Sequence, residues 1–364
     1  MDKSDILSIA RQQLSDSICN FQVPPCEPLQ VSPWVAMSGL QKAIRRGEEH
    51  LALRAAATLL HVSPDRLWRR CGCIAFEDIG VADLDTVVIV MAALAGKRFR
   101  ASLGGEWAVA SCMVSKMVHA PKCRAADDLL LAAENHRDFE DARLQFASST
   151  GDLIRIATGA DPLPIRALAA WFAIGTDRRP SPRLSSRQGD PTATFNALRE
   201  VIDPGVVEIA KEGFRRTGEV LGPFVALLWP MRQQQIATVA DDEFPPELMI
   251  GDVPGWAYDV YSREGRAALA EFIGGRTETA RWVRAHIPPR QRLAFLGGIV
   301  FRVEGGLVRK RLQWKTGDEL RRIVDIECND PHYVDAAEIL QLTRGDIPAL
   351  NGVRAELIGG LHHV

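Results

Sequence analysis

Three tyrosines and seven cysteines stand among 364 residues, and the thiols fall into no pattern that metal or disulfide chemistry requires. The cysteine count is odd and no tight framework spacing links them, which excludes a disulfide scaffold and points to reduced thiols in a cytosol. Cys71-Gly72-Cys73 is not CxxC and has no second pair, so it reads as core thiol rather than zinc ligand. The eight histidines are scattered, without HExxH, and His362 and His363 sit at the chain end. No G-x-S-x-G and no G-x-G-x-x-G occurs. No apolar run approaches eighteen residues, so no membrane span is expected. Charge of one sign is lacking too: 44 Lys and Arg face 46 Asp and Glu, a net charge of −2, so the whole chain is not a basic nucleic-acid binder and any such surface must be local. The start, MDKSDILSIARQQ, is charged and carries no signal-peptide core, so a cytoplasmic location is expected.

What is present is helical pattern, and its densest stretch is Ser38 to Gly80. Ser32-Pro33 is a helix start: a hydroxyl to cap, then proline at the first turn, where its missing N–H costs nothing. Met37, Leu40 and Ile44 share one face, with Lys42, Arg45 and Arg46 off it, and Gly47 is suited to a left-handed end. An alanine- and leucine-rich helix follows, with Leu51, Ala55 and Leu59 on one stripe. Ser63-Pro64 repeats the start signal, Leu67, Cys71 and Ile74 form the apolar face, and Gly80 closes it. Glu77 and Asp78 end this helix against its macrodipole, so either they meet a basic group or they are solvated at a mild cost.

Order and rough spacing here resemble the region after the ATPase core in the RarA/MgsA family of clamp-loader-related AAA+ ATPases. The residues that carry the likeness are Lys42, Ala43, Ile44 and Arg45, then Ala52 to Leu60, then Ala75, Phe76, Glu77, Asp78, Ile79, Gly80, Ala82 and Asp83. A second match is MVHAPKCRAADDLLLAAENH, residues 117 to 136, with Pro121 and Lys122 in its turn. The likeness spans residues 38 to 136. It implies a helical lid and oligomerisation collar, a DNA-replication or repair setting, and either self-association or an ATPase partner. It does not imply a motor: only about forty residues precede it, and no G-x-x-x-x-G-K-[ST] exists. Ala95-Gly96-Lys97-Arg98 lacks both the upstream glycine and the following hydroxyl, so no phosphate nest and no magnesium ligand is expected there, and no ATP hydrolysis.

Residues 1 to 20 read as an amphipathic helix, and Phe21 to Pro33 as a linker with four prolines. Asp83 is placed to cap a helix whose positions Leu84, Val87, Val88, Met91 and Leu94 are apolar nearly all round, hence buried or an association surface. Lys122 and Arg124 open a helix where positive charge is disfavoured, with Asp127 and Asp128 offsetting them. Residues 175 to 193, rich in Pro, Ser, Arg, Gly and Asp, read as a linker between a collar-like domain (1–174) and a second, mostly helical domain (194–364). The fold class expected is all-α in two helical domains, with a small β-hairpin near residues 298 to 312.

From Arg263 to Lys315 the chain carries twelve Arg or Lys against four Glu and no Asp, a local charge of +8. Arg263, Arg266, Arg276, Arg281, Arg284, Arg302, Arg309, Lys310 and Arg311, interleaved with Trp282 and Trp314, suit a nucleic-acid strand, with phosphates paired by cations and bases stacked on rings. The competing reading makes the tryptophans core and the arginines a solvated face. Two functions of different class follow. One is a non-enzymatic oligomerising or adaptor protein of replication or repair that binds DNA through this segment and needs no cofactor or metal. The other is a metal-dependent nuclease or nucleotide-processing enzyme built from scattered carboxylates such as Asp252, Asp259 and Glu264, with the acidic loop Asp241, Asp242 and Glu243 a further metal candidate.

Overall fold

The computed structural model describes residues 3–145, 149–327 and 336–361. Nineteen α-helices lie among them. The first fourteen are α1 (Lys3–Cys19), α2 (Pro33–Arg46), α3 (Glu49–Val62), α4 (Pro64–Ile74), α5 (Leu84–Ala93), α6 (Lys97–Ser102), α7 (Glu106–His119), α8 (Ala125–Asn135), α9 (Glu140–Gln145), α10 (Thr150–Thr158), α11 (Leu163–Ile174), α12 (Pro191–Val201), α13 (Pro204–Thr217) and α14 (Leu221–Gln234). Beyond them come α15 (Arg263–Gly274), α16 (Glu278–His286), α17 (Arg292–Val300), α18 (Lys315–Arg322) and α19 (Ala336–Leu361). The protein is all-α, with two small two-stranded sheets among the described residues. Strand β1 (Ala237–Ala240) pairs antiparallel with β4 (Arg311–Trp314), and β2 (Met249–Ile250) with β3 (Val253–Pro254).

The helix boundaries follow the capping chemistry. Ser32 accepts from the Val35 N–H, Pro33 opens α2, and Gly47 closes it at φ 71°. Asp83 caps α5 through the Thr86 N–H, and Asp203 caps α13 with Pro204 at its first turn. The small hairpin lies at 249–254. Residues 298–312, where a hairpin was expected, give instead the end of α17, a π-helical turn and then β4, whose partner is far away in sequence. The helical outcome for IVFRVE has a local cause: Ile299, Val300 and Val303 all reach the interior from a helix, a placement that strand alternation would break.

Two apolar cores form. The larger takes Leu40 and Ile44 from α2, Val87 and Met91 from α5, Met113 from α7, Leu129 from α8, Trp171 from α11 and Phe224 from α14, and it extends to Trp256 and Trp314. Phe195, Leu198 and Phe214, beyond the 175–193 stretch, belong to this same core. That stretch is tied down: Thr176 Oγ1 donates to the Ser185 carbonyl at 2.6 Å, the Arg187 N–H donates to Thr176 Oγ1 at 2.8 Å, and the Asp190 N–H reaches the Ala173 carbonyl at 2.8 Å. The smaller core joins Leu269 and Phe272 of α15, Trp282 and Val283 of α16, Leu296 and Ile299 of α17, and Ile339, Ile347 and Leu350 of α19. Helix α5 packs against α1, α4, α7 and α13, and from Thr86 to Ala93 every residue is buried. Its all-round apolar character is that of a central core helix.

Candidate functional site: a buried charge network between the two cores

Three π-helical turns occur among the described residues: Ala75–Ile79 in the larger core, Phe301–Gly305, which gives Val303 to the smaller one, and Ile323–Glu327. Such turns are rare and gather at functional sites. Each carries carboxylates, and the first two deliver theirs into a chain of ion pairs closed from water.

Asp78 is its centre and is fully buried. Arg45 of α2 donates Nε to Asp78 Oδ1 at 2.7 Å, an Nη to Glu77 at 2.7 Å, and its other Nη to the Gly305 carbonyl at 2.7 Å. Gln41 donates to Asp78 Oδ2 at 2.8 Å. Arg124, just before α8, donates to Asp78, Glu77 and Asp127. Both guanidiniums sit over the Phe301 ring, at 5.2 and 5.1 Å from its centroid. Burial raises the Asp78 carboxyl, but Arg45 and Arg124 prevail and hold it below the usual carboxylate range. Burial likewise opposes the Arg124 charge, which Asp127, Asp78 and Glu77 restore and fix.

The network continues across the seam. Lys42 Nζ donates to Asp259 Oδ2 at 2.8 Å, to the Trp256 carbonyl at 2.6 Å and to Ser38 Oγ at 3.0 Å, using all three hydrogens of an ammonium. Arg46 lies over Trp256 and Phe244 and donates to the Glu304 carbonyl at 3.0 Å. The Glu304 carboxylate receives Arg354 of α19 on both oxygens, at 3.1 and 2.9 Å, with both side chains buried. A second group lies beside it: Arg311 clamps Asp242 through Nε and Nη at 2.9 and 2.6 Å, and Arg321 adds a contact at 2.8 Å. A cavity of about 40 Å³ between Arg124, Asp128, Arg311 and Asp325 is too small for an organic ligand. Burial pushes Asp127 up to about 7 and Asp128 up to about 6.

Of the residues that carry the clamp-loader likeness, Lys42, Arg45, Glu77 and Asp78 are thus working members of one network. Lys122 is buried beside it; its ammonium donates to the Val118 carbonyl at 2.9 Å and to that of Ala120, and burial lowers it to about 8. The Pro121 turn touches the Glu77-Asp78 turn directly, since the Cys123 N–H donates to the Asp78 carbonyl at 2.8 Å. Gly80 sits at φ 51°, and a Cβ there would meet the Cys123 carbonyl oxygen at 3.0 Å, so both backbone and space favour glycine. Asp83 stands apart as the α5 cap. No family model, no curated protein and no solved structure matches this chain.

The basic segment divides. Arg311 is buried in its pair with Asp242. Arg284 is half-buried, donating to the carbonyls of Ile273 and Gly275, and Arg302 donates to the Asp325 carbonyl. Arg281 is exposed and pairs with Glu278. Arg263, Arg266, Arg276, Arg309 and Lys310 are exposed, as are Arg290 and Lys315. The tryptophans offer no stacking platform. Trp282 is inside the smaller core against His286 and Phe295, with Nε1 on Glu338 at 3.0 Å, and Trp314 is 2 % exposed. Large rings beside glycine and aliphatic side chains gain more from burial than from standing in water.

Two of the three scattered carboxylates, and Asp242 of the acidic loop, are taken up by cations, while Glu264 forms no ion pair among the described residues. Asp259 is held by Lys42, Ser38 and the Tyr261 N–H, Asp252 meets Arg54 at 3.4 Å, and Asp242 belongs to Arg311 and Arg321. Among the described residues no group of three His, Cys, Asp or Glu is placed to hold a metal ion. Cys71 is buried, as expected of a core thiol, and burial raises it. Sequence reasoning missed Glu304 and Arg354, and it set Arg124 against Asp127 without reaching Glu77 and Asp78. The one available signal was a charge set among apolar residues, as at Val303-Glu304-Gly305.

Proposed function

We propose that this protein is a non-enzymatic binding and assembly protein of DNA replication or repair, which holds nucleic-acid phosphates on the exposed part of the 263–315 segment. One observation carries the reading. Arg263, Arg266, Arg276, Arg290, Arg309, Lys310 and Lys315 are all exposed, and none forms an ion pair among the described residues. Arg45, Arg124, Arg311 and Arg354 are paired with carboxylates inside the fold; these seven are not, and their charges suit an anionic partner. The setting comes from the clamp-loader likeness of residues 38–136. In support, Arg45 pairs with Glu77 and Asp78 while Lys42 pairs with Asp259, a structural use that needs no nucleotide.

The self-association part of the proposal stands on that likeness alone, because α5 has no apolar face left to offer. No helix among the described residues is long and apolar enough to cross a membrane. The test is fluorescence anisotropy with labelled single- and double-stranded DNA and RNA, run beside a cleavage assay with magnesium, manganese and zinc. Saturable, uncleaved binding supports the proposal. Metal-dependent cleavage by the purified chain sinks it in favour of the enzyme reading.

A further inference from the structure

A cavity of about 520 Å³ opens between the proline-rich connection 21–32, helix α3, the turn around Tyr258 and the last helix, α19. Its size is that of a small-molecule site. Leu29, Val35, Tyr258 and Ile358 give it buried walls, each under a tenth exposed. Thr58 fixes the connection at that point, donating to and accepting from the backbone of Leu29. His61 and Val62 stand exposed at the rim.

Glu264 is the only acidic residue of the lining, which holds no arginine or lysine. It makes no ion pair among the described residues, and its Oε2 is shut from water without a hydrogen-bond partner. Asp78, Glu212 and Glu304, buried carboxylates elsewhere in this molecule, have arginine partners. Glu264 has no such partner, so its side chain stands at the cavity wall without a counter-ion. The field of this carboxylate is felt across the cavity: burial, Glu264 and Asp252 together push the Tyr258 hydroxyl up to about 12.

We propose that this cavity binds a small organic cation, a primary ammonium or guanidinium on an apolar chain, whose charged end pairs with Glu264 while its chain lies against Leu29, Val35 and Ile358. The ligand chemistry follows from the lining: an anion meets only Glu264 and no cation, and an uncharged apolar molecule leaves the carboxylate unpaired. The site lies apart from the exposed arginines of the proposed function and does not depend on them.

The probe is hexylammonium, with hexanoate and hexanol as matched controls. The readout is fluorine NMR of protein carrying 3-fluorotyrosine at its three tyrosines, with the Tyr258 signal assigned by Tyr258→Phe. Hexylammonium is expected to shift the Tyr258 signal saturably, hexanoate not at all, and hexanol more weakly. Glu264→Gln is expected to weaken hexylammonium about tenfold or more, the scale of a lost charge-assisted contact. Because Glu264 sits in the first turn of α15, a second variant guards against misfolding: Val62→Lys, at an exposed rim position, places a tethered ammonium at the mouth and should weaken the probe by a similar factor. No saturable shift with hexylammonium, equal affinity for hexanoate, or unchanged affinity in both variants would overturn the proposal.

Discussion

At the scale of single residues, charge position decides more than charge number. Asp78 is enclosed by Arg45, Arg124 and Gln41, and removing its charge takes a shared counter-ion from two buried guanidiniums, leaving only Glu77 and Asp127 to balance them. Breaking a buried pair costs about 3–5 kcal/mol. Asp78→Asn is therefore expected to lower stability by that order in urea unfolding, and a loss under about 1 kcal/mol would show that the network relaxes or hydrates. Asp128 makes the opposite pH statement. Its folded value is raised to about 6 by burial, against Arg124 and Arg311, while an unfolded aspartate titrates near about 3.9. The folded state thus binds more proton between these values, so this group's contribution is complete below about pH 4 and is lost as pH rises through about 6. Asp78, held low, works in reverse, and its contribution fades only as pH falls below the ordinary carboxylate range. Stability of the wild type should decline from about pH 4.5 to about pH 7, and Asp128→Asn should flatten that slope by about 2–3 kcal/mol. A slope unchanged by the substitution would remove Asp128 as its source.

At the scale of elements, close approach replaces charge as the constraint. Gly213 of α13 lies against Phe76 in the first π-helical turn, and a Cβ there would fall 2.2 Å from two ring atoms. Phe76 is 2 % exposed and has nowhere to go. Gly213→Ala is expected to cost about 1–3 kcal/mol or more and to loosen the turn that presents Asp78, visible as faster amide exchange at residues 75–80. Wild-type exchange there would show that α13 does not set the turn. Trp282→Ala should cost about 3–5 kcal/mol in the smaller core, while the fraction still folded keeps its DNA affinity; lost affinity at unchanged stability would restore the stacking role.

Much of this scale was legible in sequence. Ser32-Pro33, Gly47 and Asp83 mark helix ends through local chemistry, and that chemistry acts within four residues. The partners of Glu77 and Asp78 were not legible, although their need for a cation at a helix end was. Arg354 and Glu304 meet across 50 residues, and β1 meets β4 across more than 70, and no local pattern encodes such pairings. The stretch 175–193 shows the same limit: its composition is that of a loop, but its tethers to Ala173 and Thr176 depend on where the backbone turns.

At the scale of the whole molecule, two sets of charges stand out. The first is buried and paired around Asp78 and Glu304; the second is the exposed, unpaired cations of residues 263–315, and other exposed cations such as Arg69, Lys97 and Arg98 belong to neither. The central claim is that the first holds the fold and the second holds a nucleic acid. Arg309 and Lys310 separate the two most cleanly, since both are exposed on a turn next to the buried pair of Arg311. The deciding measurement is DNA affinity as a function of salt for the wild type and for the double variant Arg309→Glu/Lys310→Glu, alongside urea unfolding of both. The account predicts affinity that falls steeply and linearly in log–log form for the wild type, a slope shallower by about one to two in the variant, and stabilities within about 1 kcal/mol of each other. A wild type with no salt-dependent affinity, or a variant that binds as the wild type does, would contradict it.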